Sequence, residues 1–79
     1  NYNAKQVNIV ASNNAELEIF IDGELIPKHI AGIDVNQDGK VIIIEPRLYN
    51  IVNSAVTESH ELVIKVNEPK FEIFTFTFG

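Results

Sequence analysis

The chain ends Phe71-Glu72-Ile73-Phe74-Thr75-Phe76-Thr77-Phe78-Gly79, a run in which phenylalanine and threonine alternate. Both residue types favour the pleated, half-buried surface of a sheet, and the period of two is a strand's. Four of the five phenylalanines of the chain lie here, at an end where chains ordinarily fray. The run is therefore expected to be an interior strand covered along both edges, because an uncovered strand of this composition invites pairing with other chains. A strand of this kind implies an all-β domain, a small antiparallel β-sandwich or barrel closed by its own last strand.

The rest of the chain supplies further strands. Val7, Ile9 and Ala11 alternate with Gln6, Asn8 and Val10, which gives a first strand near 5–11. Leu17, Ile19 and Ile21 point one way and Glu16, Glu18, Phe20 and Asp22 the other, the clearest period-two segment present. Asp22-Gly23 offers the two left-handed-tolerant residues of a tight hairpin returning through Leu25 and Ile26, which Pro27 ends. Residues 28–39 read as irregular. Val41 to Ile44 is an unbroken β-branched run, expected to be buried on both faces. Leu48 to Val52 reads as a short strand, Asn53 to Ser59 as loop, and Leu62, Ile64 and Val66 as one face of a further strand. Asn67-Glu68-Pro69-Lys70 turns the chain into the last one. There Phe71 and Ile73 have one parity and Phe74, Phe76 and Phe78 the other, so a bulge is expected near 73–74.

Seventy-nine residues make one small domain, read as 1–79 with residues 1–4 as a linker leading in. It has no cysteine to form a disulfide or a thiol centre, so it is expected to be marginal alone and better packed against something else. It starts at Asn1 and contains no methionine, and reads as the C-terminal piece of a longer protein. No run reaches the roughly 18 apolar residues of a membrane span. Eleven acidic and six basic residues leave a net charge of −5; nucleic-acid binding, which draws its affinity from clustered lysine and arginine, is excluded as a reading.

One motif match is complete. Asp34-Val35-Asn36-Gln37-Asp38-Gly39, with Glu45 eleven residues after Asp34, fits the calcium loop of an EF-hand. Asp34, Asn36 and Asp38 are thus candidate calcium ligands. The flanks are wrong for that motif, since Pro27 and Gly32 precede it and β-branched residues and Pro46 come after, where helices are needed. A turn between strands is the competing reading, and no cofactor is expected unless calcium. His29 and His60 fall short of the three or four ligands zinc needs and read as surface residues. Ser59 and His60 would diverge if extended, so they make no nucleophile–base pair. Tyr49, between Arg47 and Asn50, is a candidate ligand platform of the kind sugars use. The competing role is a tyrosine at the edge of the core with its hydroxyl bonded to backbone.

Ala31-Gly32-Ile33-Asp34-Val35, Arg47-Leu48-Tyr49-Asn50-Ile51-Val52, His60-Glu61-Leu62 and the closing Phe74-Thr75-Phe76-Thr77-Phe78-Gly79 succeed one another in an order and spacing that resembles the C-terminal domain of DipZ-like thioredoxin-family proteins. The resemblance spans about residues 5–79. It implies a jelly-roll sandwich like that of carbohydrate-binding modules, with its first strands missing here. It also implies a preceding thioredoxin-like domain that holds the redox cysteines, and an extracytoplasmic setting. On that basis the expected function is a non-catalytic accessory module of a thiol–disulfide oxidoreductase. It would position the redox domain or a partner such as a glycan. The alternatives are a calcium-binding module on the 34–39 loop and a structural oligomerisation domain.

Overall fold

A computed structural model describes residues 2–12, 14–67 and 72–79. Among the described residues seven strands run in order: β1 (Tyr2–Ser12), β2 (Ala15–Ile21), β3 (Glu24–Leu25), β4 (Lys40–Ile43), β5 (Arg47–His60), β6 (Leu62–Val66) and β7 (Glu72–Phe78). A 3₁₀ turn, Lys28–Ile30, comes directly after Pro27. All pairings are antiparallel and fall into two sheets, a small β-sandwich. In the first sheet β1 lies between β5 and β7. In the second, β2 is central: β4 and then β3 lie along one of its edges while β6 runs along the other.

The alternation that the sequence shows in β2 is what packs the two sheets together. Leu17, Ile19 and Ile21 face Val7, Ile9 and Ala11 of β1 in one core, with Val41 and Ile43 of β4 and Tyr49, Ile51 and Val52 of β5. The hairpin at 22–23 forms as expected, with both Asp22 (φ 53°) and Gly23 (φ 85°) left-handed, the backbone that a two-residue turn between right-twisted strands requires. At the other end of β5 the chain crosses from one sheet to the other within a single residue, Glu61. That crossing puts the end of β5 and the start of β6 beside the β2–β3 turn.

Four expectations are corrected. Residues 2–4 are not linker: Tyr2, Asn3 and Ala4 pair with His60, Ser59 and Glu58, because Tyr2 and Ala4 alternate with Asn3 and carry the core pattern onward. Residues 53–59 are not loop but part of β5, which makes an excursion at 54–57 between the pairs Gln6↔Asn53 and Ala4↔Glu58. The Ser54 hydroxyl anchors that excursion, lying 3.1 Å from the Lys5 carbonyl and 2.8 Å from that of Val56. Val41 to Ile44 is buried on one face only, Ile42 and Ile44 being 48% and 72% exposed, because in a two-sheet sandwich the outer face of each sheet meets water.

The fourth concerns β7. It is ordered into the sheet, but as an edge strand paired with β1, and Phe76 and Phe78 are 43% and 56% exposed. The expected bulge is present in the backbone: Val10 pairs with Thr75 and Ala11 with Ile73, leaving residue 74 over. The side chains of 71–75, and the turn residues 68–70, lie outside the described residues. The C-terminal Gly79 is tied in by its N–H to the Gln6 carbonyl and by its own carbonyl, which accepts the N–H groups of Lys5 and Gln6.

Candidate functional site

The exposed aromatic residues of β7 do not stand alone. Phe78 and Phe76 pair across the sheet with Val7 and Ile9, two fully buried residues, so they sit on the core side of the sheet. There they extend the core past the point where the facing sheet covers it. The Phe76 and Phe78 rings lie 6.3 Å apart and nearly parallel, and the Tyr2 ring lies 6.4 Å from Phe78. Tyr2 in turn packs at 5.9 Å against the His60 ring, its cross-strand partner on β5. Phe76, Phe78, Tyr2 and His60 thus form one strip across three strands. Tyr2, Leu62, Phe76 and Phe78 line a shallow hollow of about 190 Å³ on it.

The strip ends in a charged cluster. His60 Nδ1 is 2.6 Å from Asp22 Oδ2, and its Nε2 is 2.7 Å from Glu58 Oε1. Glu58 and His60 are two apart on one strand and so share a face; Asp22 comes from the β2–β3 turn of the other sheet. Asp22 is held by more than the ring. Its Oδ1 accepts the Glu61 N–H at 2.9 Å, and its own N–H donates to the Glu61 carbonyl at 2.9 Å. These contacts set the titration of the group. Hydrogen bonds donated by the ring to Glu58 and Asp22 hold the His60 imidazole above its ordinary value. The Glu61 N–H and His60 hold Asp22 below the usual carboxylate value. Burial, with Glu58 and Asp22 nearby, pushes the Tyr2 phenol up.

The residues singled out by sequence fall elsewhere. Tyr49 is 1% exposed and its hydroxyl donates to the Glu45 carbonyl at 2.7 Å. The Arg47 guanidinium lies 3.8 Å from its ring centre. No ring face is left for a sugar at that position, because the residue is a core tyrosine whose polar tip caps the backbone of 44–45. Asn50 is equally engaged, donating from Nδ2 to Asn8 and to the Val52 carbonyl. The Asp34 carboxylate takes the Arg47 guanidinium and the Asn50 N–H. Burial pushes its pKa up, but those two donors outweigh it and hold it low. The Asn36 side chain accepts the N–H groups of Asp38 and Lys40, a side-chain-capped turn. The side-chain oxygens of Asp34 and Asn36 therefore face the protein's own donors. Among the described residues no three His, Cys, Asp or Glu side chains are grouped to hold a metal ion. None of the helical segments described is long and apolar enough to cross a membrane.

The aromatic strip with its His60 cluster is what the sequence does not disclose. Asp22 reads there as a turn residue and His60 as a lone surface histidine. The available signal is the Glu58–His60 spacing, which places both on one face only once 53–59 is recognised as strand. With both ring nitrogens of His60 taken by carboxylates, no base remains for Ser59.

The fold and the site define a small all-β domain with an aromatic edge and no cysteine. The chain belongs to the thioredoxin-like C-terminal domain family, whose sequence model matches residues 1–79. No curated protein and no solved structure matches it.

Proposed function

We propose that this domain is the non-catalytic accessory module of a thioredoxin-like thiol–disulfide protein, and that it docks on the redox domain of its own chain through the Tyr2–Phe78 strip. The observation that supports this is the placement of exposed Phe76 and Phe78 beside Tyr2, at the start of β1. A thioredoxin-like domain joined ahead of β1 is tethered next to an apolar strip on an edge strand. A short tether holds it there at an effective concentration on the order of millimolar, so a modest patch suffices. Exposed aromatic side chains at such a patch are the residue types that dominate interface energies. Redox chemistry belongs to the companion domain, since these 79 residues contain no cysteine.

The test is chemical-shift mapping of this domain alone against the same domain in the two-domain protein. Perturbations should cluster at Tyr2, Leu62, Phe76 and Phe78, and Phe78→Ala should shrink them. Perturbations confined to residues next to the linker, or centred on the opposite end near Ile42 and Ile44, would reject this docking face.

A further inference from the structure

Two carboxylates on one imidazole amount to a proton count. A neutral ring has one N–H and one bare nitrogen, and only the imidazolium donates from both. With Asp22 and Glu58 at 2.6 and 2.7 Å from the two nitrogens, a neutral ring would set a lone pair against a carboxylate oxygen on one side. The two acceptors also belong to different sheets: Asp22 closes the turn of β2, while Glu58 and His60 lie on β5. The Asp22 bond is the one that crosses between sheets, and the doubly protonated ring adds Glu58 of β5 to it, fixing the aromatic end of the sandwich.

We propose that His60 is a proton-operated lock, closed while both ring nitrogens carry hydrogen and released when one is lost, with Glu58 the arm that lets go. Glu58 leaves rather than Asp22 because the Asp22 carboxylate also accepts the Glu61 N–H and its own N–H donates to the Glu61 carbonyl, bonds that involve no ring proton. The neutral ring keeps its remaining N–H on Nδ1, toward Asp22. Titratable groups lie around the ring on each element packed against it. Asp22 faces it from the β2–β3 turn, Glu58 from β5 and Tyr2 from β1, and Glu61 comes next in the link to β6. Glu24 of β3 and His29 of the 3₁₀ turn line the groove on its other side. Of these groups, Glu58 and Asp22 favour the charged ring, in line with its raised titration.

Because the Tyr2 ring packs on His60 and continues to Phe78, release of Glu58 frees the β5 end of the strip. Only this consequence, that pH adjusts the docking face, rests on the function proposed above. The lock itself is tested on this chain without any partner, by ¹⁵N and ¹H NMR titration of labelled histidine. The His60 signal, identified by its loss in His60→Phe, should show both nitrogens protonated at pH 6. Its midpoint should lie above the ordinary imidazole value. Glu58→Gln and Asp22→Asn should each lower it, and the Tyr2 and Phe78 ring signals should move with the same midpoint. A His60 midpoint at or below the ordinary value in the unaltered chain would overturn the lock, as would a midpoint unmoved by Glu58→Gln. Tyr2 signals that ignore the titration would do the same. Failure of the two-domain mapping alone would instead remove the docking partner and leave the lock intact.

Discussion

Gly32 shows how little room the β5 edge leaves. Its N–H donates to the Ile51 carbonyl, and a Cβ built on it would overlap the Asn50 carbonyl. The neighbour in the way is strand backbone, which cannot swing aside as a side chain would. Gly32→Ala should therefore cost about 1–3 kcal/mol, the range for forcing extra volume into a packed site, measured by urea unfolding. Two further residues next to it argue for structure rather than ligand binding. Tyr49→Phe keeps the buried ring and removes the bond to Glu45, so a loss of about 1 kcal/mol is expected. Asp34→Asn keeps one acceptor but loses the charge that pairs with Arg47 at 2.9 Å. It should lower the melting temperature, and millimolar calcium should leave the melting temperature of the unaltered protein where it is. A rise with calcium that Asp34→Asn abolishes would restore the metal reading.

At the scale of elements, the sequence discloses period and turn chemistry well and position within a sheet poorly. β2 and its Asp22-Gly23 turn are legible because local geometry decides them: alternation sets the buried face, and left-handed backbone sets the turn. The bulge at 73–74 is legible for the same reason, since a break in parity is a local fact. Whether a strand is central or at an edge depends on what lies beside it. An apolar run such as Val41–Ile44 fits either position, and so does the aromatic β7. The stretch 53–59 reads as loop because Asn53, Ser54 and Ser59 are residues that turns favour, whereas the pairing of Ala4 with Glu58 across a bulge is long-range. The edge status of β7 has its own test. Gly79 donates to Gln6, so along β7 the N–H groups that face β1 alternate with those that face away. Hydrogen exchange should find the amides of Thr77 and Gly79 slow and that of Phe78 fast. Equal protection of all three would mean that the outer edge of β7 is covered.

For the molecule as a whole, the two titrations at the His60 cluster bound the pH range in which the aromatic end is held. His60 is raised above its unfolded value. The stability it contributes is therefore fully present below the ordinary imidazole value of about 6.5 and is lost as pH rises through the folded value. Asp22 is lowered. Its contribution is fully present above the ordinary aspartate value of about 3.9 and is lost as pH falls through the folded value. Both contributions coexist only in mildly acidic solution, between those two ordinary values. The cluster is close to solvent, so the amplitude is small and falls with added salt, and its signature is the shape of the curve. Melting temperature against pH should peak in that mildly acidic window and decline on the alkaline side. His60→Phe should flatten the alkaline decline, and Asp22→Asn should flatten both flanks because it removes one titrating group and one acceptor of the other. If His60→Phe keeps the decline, other groups govern stability there, and Asp22 is held to the link between the sheets by its two bonds to the Glu61 backbone.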